Sequence, residues 1–266
     1  MSHPSHSGRV LTAAALTVVV GIAFSTPALA SGGKKPAFTL TILHNNDGES
    51  ELLPLALDTD GDGVEDTRFG GIARFQRKVN TLRFGSFFSW DPGESFKRGV
   101  VLLNSGDNYL PGTRFEASQQ PGAPYYDGIA VKLLGYAALA IGNHEFDFGP
   151  RTLRRFVDTV EDVPFVSANL DYSGEPTLAD LAGSRLVAST VVKVGRKKIG
   201  VVGLTTTSLP TISSPGGVAV LTDLAALAQA EIDALTDRGI DKIILQSHLQ
   251  GIESEKALVG ELRGVD

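Results

Sequence analysis

The sequence predicts a layered α/β fold with at least one buried sheet, and three observations carry that prediction. Short apolar runs rich in Val, Ile and Leu recur along the chain. Stretches of helical periodicity fall between them. Four of the apolar runs end in residues suited to cations, and the carboxyl edge of an α/β sheet is where ligands gather.

Taken in order, residues 38–43 alternate threonine with apolar side chains, as a strand does. Residues 70–82 place Ile72, Phe75, Val79 and Leu82 at helical spacing. Residues 85–97 read as a loop, with a turn at 90–93. A second strand is expected at 100–103, a helix at 123–134, a third strand at 137–141 and a helix at 152–160. Residues 164–168 look strand-like. Residues 186–194 and 198–204 flank Gly195-Arg196-Lys197 and read as a hairpin. An Ala/Leu helix at 221–235, a strand at 242–245 and a helix at 253–262 complete the pattern.

The 266 residues, 42% hydrophobic and 20% charged, suffice for a compact core but not for three ordinary domains. Arg9 ahead of an apolar run over residues 11–24, followed by Ala28-Leu29-Ala30, has the pattern of a secretory signal peptide over residues 1–30. A membrane anchor is the rival reading, but the run is short and broken by Ser25-Thr26-Pro27. Residues 31–37 read as a linker. The chain has no cysteine, so its core or a bound metal must stabilise it. The formal charge is −6, and the leader holds one arginine and no acid, so the exported chain would carry −7. That balance argues against nucleic acid as a partner, yet permits small phosphates where cations dominate the local field.

The polar strand ends are His44-Asn45-Asn46-Asp47-Gly48-Glu49, Asn104-Ser105-Gly106-Asp107-Asn108, Gly142-Asn143-His144-Glu145-Phe146-Asp147 and Gln246-Ser247-His248. Singly, each has an ordinary explanation: Asp107 as a turn or cap residue, His248 as a hydrogen-bonded histidine, Asp47-Gly48 as a turn. Together they place several carboxylates at one edge, which is unfavourable unless cations hold them.

LHNND at 43–47, GDN at 106–108, GNHEFD at 142–147 and SH at 247–248 resemble the motifs of the calcineurin-like metallophosphoesterases. More narrowly, they are similar to the secreted 5′-nucleotidase and UDP-sugar hydrolase branch, over residue 38 to the end of the chain. The resemblance implies a four-layer sandwich of two mixed β-sheets flanked by helices over residues 38–266. It also implies hydrolysis of nucleotide phosphate esters at a pair of Zn, Mn or Mg ions. Asp47 would bind the first metal, Asp107 would bridge both, and Asn143 and His248 would bind the second. His144 corresponds to the family's catalytic histidine and Asp147 to the carboxylate that orients it. Gly142 is expected to let the backbone bend sharply. The protein would be exported, to the periplasm, the exterior or the cell surface, with no membrane span after leader cleavage.

Two departures stand out. The family has histidine where this chain has Glu49, an oxygen ligand suited to a harder metal or else a solvated side chain. The family also completes its site with a Gly-Gly-His-x-His-like loop and a separate substrate domain. On this reading residues 38–266 lack their C-terminal part and belong to a longer protein or a truncated relative. Separately, Asp58, Asp60, Asp62 and Asp66 with Gly63 have the oxygen spacing of a calcium loop without its final glutamate. A calcium-stabilised cell-surface or extracellular module with an incomplete, inactive site is therefore the alternative function.

Overall fold

The computed structural model describes residues 38–87 and 97–266; the expected leader, linker and 90–93 turn lie outside the described residues. The chain runs β1 (Thr39–Asn45), β2 (Leu55–Leu57), β3 (Thr67–Phe69), α1 (Ile72–Phe87), β4 (Arg98–Asn104), α2 (Thr113–Gln119) and α3 (Tyr126–Leu134). It continues with β5 (Ala138–Ala140), a 3-10 turn at His144–Phe146, α4 (Pro150–Val160), β6 (Phe165–Val166), β7 (Leu170–Asp171), β8 (Leu186–Val187), β9 (Ser189–Val194) and β10 (Lys197–Thr205). It closes with α5 (Leu209–Ile212), β11 (Ala219–Val220), α6 (Leu224–Asp237), β12 (Ile243–His248) and α7 (Ile252–Glu261).

Two sheets face each other. The larger has the order β1-β4-β5-β6-β8 and is parallel throughout. The smaller, β12-β10-β9, is mixed, since β10 runs parallel to β12 and antiparallel to β9. Period-2 alternation assigns their faces. Val101, Leu103, Ala138, Ala140 and Val166 point from the larger sheet onto Val192, Val194, Ile199 and Val201 of the smaller. On the other face of the larger sheet, Leu102, Leu139 and Phe165 meet Val79, Val131, Leu153 and Phe156 from the helices. Val202 and Ile243 turn outward to Ile232 and Leu235 of α6. The result is the expected four layers: helices, sheet, sheet, helices.

Close approach of the sheets depends on small residues between them. Ala168 N–H donates to Gly203 O at 2.8 Å, and a Cβ on Gly203 would lie 2.1 Å from Val166 O. The helices form where stripes allow them. α4 buries Thr152, Leu153, Phe156, Val157 and Val160 behind Pro150 in its first turn, and Asp223 caps α6 by accepting from Ala226 N–H at 3.2 Å.

Several expectations need correction. The hairpin is β9–β10 only, because Leu186–Val187 pairs with β6 in the other sheet, and the chain changes sheet at Ala188. The helix expected from residue 123 begins at Tyr126, since Pro124 disfavours helical backbone at the residue before it. Gly85 lies inside α1 rather than in a loop. The short helices α2 and α5, the β2–β3 ribbon and the β7–β11 pair were not anticipated from periodicity.

Gly203→Ala should force the sheets apart and cost about 1–3 kcal/mol of stability, as over-packing does. Urea unfolding should show a lower midpoint at unchanged slope; an unchanged midpoint would refute the steric account.

Candidate metal centre

The predicted ligands converge at the carboxyl edge of the two sheets. β1 and β4 pair in register from Thr39 with Arg98 to Asn45 with Asn104, so the loops that follow them leave side by side. Asp47 N–H donates to Gly106 O, and Glu49 N–H to Asp107 O, each at 3.1 Å. His248 is the last residue of β12. Ligand atoms of Asp47, Asp107 and His248 all lie within 4.8 Å of one another.

The imidazole of His248 tests whether this donor set suits a cation. Its Nδ1–H donates to Ser105 O at 2.7 Å, because a carbonyl can only accept. Nε2 then faces Asp107 Oδ2 at 3.0 Å and Asn143 Oδ1 at 3.2 Å. One nitrogen and two oxygens aimed at a common point fit a divalent ion in place of the Nε2 proton. Asn143 thus joins the three residues above, with Gln250 Nε2 donating to the same Asn143 oxygen at 2.5 Å.

Glu49 lines the same cavity, of about 410 Å³, with Asp47, Asp107, His144, His248 and Gln250, but its carboxylate is not in the close group. Burial first, and Asp47 next, push the Glu49 carboxyl up; burial and then Asp107 do the same to Asp47. This mutual repulsion is what a bound cation would relieve.

His144 and Asp147 meet as expected. Nδ1–H of His144 donates to Asp147 Oδ2 at 2.5 Å, and Nε2 stands 3.9 Å from Asp107 Oδ2. Burial works against charging this ring, but the bond to Asp147 and the charge of Asp107 leave its pKa raised. The other oxygen of Asp147 accepts from Ser213 Oγ–H at 2.8 Å, a partner that the sequence offers no signal for, 66 positions away.

The backbone is strained here. Asp47 (φ 52°), Glu49 (φ 46°), Ser50 (φ 59°), Asp107 (φ 55°) and Gln250 (φ 61°) account for five of the six non-glycine residues with positive φ among those described. Such residues cost about 1–3 kcal/mol each and persist where surroundings over-determine them. The role expected for Gly142 needs correction. It is not among the glycines of positive φ; instead, a Cβ there would lie 2.1 Å from Asp107 Oδ1. Gly106 (φ 94°) presses on it from the other loop, its own Cβ position 2.3 Å from Gly142 N.

Sequence reasoning passed over Glu145. It is wholly buried, and its carboxylate accepts N–H groups from Asp107, Asn108 and Gly142. The available signal was an acid within a buried strand-end segment, which has to find donors.

The acidic stretch forms the loop of the exposed β2–β3 ribbon. Asp58, Asp60 and Asp66 offer oxygens within 4.8 Å of one another, a group that does not include Asp62. Asp62 instead accepts from Val64 N–H at 2.8 Å. Backbone N–H donation from Gly63 holds the Asp58 carboxyl below the usual range, and Thr59 does so for Asp66.

Burial disfavours charge on His248, but the hydrogen bond to Asp107 and its charge push the pKa up to about 9. A raised pKa adds stability that is complete below the ordinary 6.5 and lost as pH rises through about 9. The metal-free chain should therefore unfold at lower urea as pH goes from 6.5 to 9. Mn²⁺ affinity should rise over the same interval, because binding displaces that proton. Calorimetric affinity that is flat across this range would contradict the assignment.

No protein-family model matches the chain. It is 35% identical over 234 residues to the 5′-nucleotidase of Diplobatis ommata, across 88% of this chain and 37% of that one. The chain thus spans about two fifths of the length of the curated relatives it matches. The crystal structure of a 5′-nucleotidase precursor from Thermus thermophilus superposes with a TM-score of 0.70 at 33% identity, covering 86% of this chain and 40% of that one. The calcineurin-like phosphoesterase YfkN of Bacillus subtilis shares the fold, with a TM-score of 0.61 at 22% identity over 87% of this chain and 71% of that one. By descent and by architecture, the chain is a homologue of the 5′-nucleotidases built on the calcineurin-like phosphoesterase fold.

Proposed function

We propose that this protein is an exported, metal-dependent phosphatase that hydrolyses phosphate esters of nucleotides. The observation that supports it most is the convergence of Asp47, Asp107, Asn143 and His248 beside the His144–Asp147 pair. Asp47 and Glu49 would hold one divalent cation, Zn, Mn or Mg; Asn143 and His248 would hold a second, with Asp107 shared. When bound, such a pair supplies Lewis acidity toward phosphoryl oxygens and an acidified water for attack.

The residues of the chain supply orientation and a proton. Asp147, itself held by Ser213, accepts Nδ1–H and fixes the ring of His144 so that Nε2 faces the cavity. As the P–O ester bond breaks, the leaving oxygen takes the proton from Nε2 of the charged ring. Burial disfavours charge on this ring, and the hydrogen bond to Asp147 favours it. Export rests on the leader pattern of residues 1–30. No helix among the described residues is long and apolar enough to cross a membrane. The rival reading, an inactive calcium-stabilised module, is not favoured by the likeness to 5′-nucleotidases. A weak calcium site at Asp58, Asp60 and Asp66, without Asp62, is compatible with either.

Phosphate release from AMP with Mn²⁺ present, abolished by EDTA, is the expected result. A chain that binds Mn²⁺ yet releases none would return weight to the rival. His144→Asn should leave Mn²⁺ binding intact and cut turnover by roughly two to four orders of magnitude, as for loss of a general acid. Unchanged turnover would sink its role, and Glu49→Ala with full metal content would do the same for Glu49 as a ligand. For the ribbon, calorimetry should give a Ca²⁺ heat that Asp60→Ala abolishes; no such heat means an ordinary acidic loop.

A further inference from the structure

Glu145 has no part in the metal reading above, and its surroundings are unusual for a buried acid. Its Oε2 accepts the backbone N–H of Asp107 at 2.9 Å and of Gly142 at 2.8 Å. Its Oε1 accepts the backbone N–H of Asn108 at 2.8 Å and the side-chain amide of Asn108 at 3.1 Å. The Tyr109 hydroxyl fastens the residue from behind by donating to Glu145 O at 2.6 Å. The donors therefore come from two separate loops, the one after β4 that bears Asp107 and the one after β5 that bears Asn143.

We infer that Glu145 is a positioning residue that clasps these two loops and so sets the geometry, and hence the affinity, of the metal centre. The inference rests on the metal reading of the site. A carboxylate suits the task for a reason of chemistry. Each oxygen must accept two N–H groups, and no other side chain of this length offers two oxygens. Burying an acid merely to fill space would be costly, and an apolar side chain would fill it at less cost. The clasp also works where no side chain could intervene, because Gly106 and Gly142 touch backbone to backbone between the same two loops. A second link runs the other way, from His144 N–H to Asp107 Oδ1 at 2.9 Å. Asp107 is thus held through its own N–H by Glu145 and through its carboxylate by the β5 loop.

Glu145→Gln keeps the size but cannot keep the clasp. Whichever way the amide turns, its NH₂ faces two N–H donors, either Asp107 with Gly142 or the pair from Asn108. In the full chain, Mn²⁺ titration calorimetry should show affinity reduced about 10–100-fold, the usual effect of losing a group that supports a ligand. Two further variants separate positioning from general weakening. Asn108→Ala removes one of the four donors, together with the Asn108 bond to Asn104 Oδ1 at 3.0 Å, and should cost about fivefold in Mn²⁺ affinity. Tyr109→Phe, which loosens the same turn without touching the carboxylate, should lower the unfolding midpoint but leave Mn²⁺ affinity within about twofold. If Glu145→Gln does not fold, the contrast between Asn108→Ala and Tyr109→Phe decides the matter. Equal Mn²⁺ affinity in parent, Glu145→Gln and Asn108→Ala overturns the inference while leaving the metal reading intact. Equal losses in Asn108→Ala and Tyr109→Phe overturn it too, as a general stability effect. A parent chain that binds no Mn²⁺ removes the metal reading and this inference with it.

Discussion

The centre depends on one contact: the loop after β4 and the loop after β5 meet with no side chain between them. A Cβ at Gly106 would strike Gly142 N, and one at Gly142 would strike the Asp107 carboxylate. Only that approach lets Asp107 take the His144 N–H and lets one buried carboxylate accept from both loops. The strained φ angles of Asp47, Glu49, Ser50 and Asp107 lie where the loop after β1 pairs with this same β4 loop, the N–H groups of Asp47, Glu49 and Ser50 donating to the carbonyls of Gly106, Asp107 and Asn108. The sheets behind the loops make the bend affordable. β5 and the last four residues of β4 are buried between the helices and the second sheet, so the strand ends that launch the loops are rigid.

Period-2 alternation made the central strands legible. Leu102 against Val101 and Leu103, and Phe165 against Val166, separate the two faces by sequence alone. What alternation does not encode is a change of sheet. Residues 186–194 form one unbroken strand-like run, yet only tertiary pairing assigns Leu186–Val187 to β6 and Ser189–Val194 to β10. Two-residue strands such as β7 and β11 offer too few positions for any period to show.

The site was legible where chemistry sits at the end of an apolar run, as with Asp107, Asn143, His144 and His248. It was not legible where the partner is distant, as with Ser213, or where the group acts through backbone amides, as with Glu145. Glu49 falls between. The sequence flags it as an oxygen where the resemblance expects imidazole, and the fold brings it to the cavity wall without joining it to the close group.

Electrostatics bind the proposed chemistry to the proposed metals. Asp47, Glu49, Asp107 and Glu255 line the cavity, and no lysine or arginine does so among the described residues. A phosphate ester entering such a cavity would meet like charge at short range, in surroundings less polar than water. Among the described residues lining it, His144 and His248 alone can carry positive charge, and His248 cannot do so while Nε2 holds a metal. Phosphate binding without divalent ions would therefore work against the field of the very residues that define the site. Two such ions would offset the four carboxylates, and the acidic wall would then retain the cations that attract a phosphate ester.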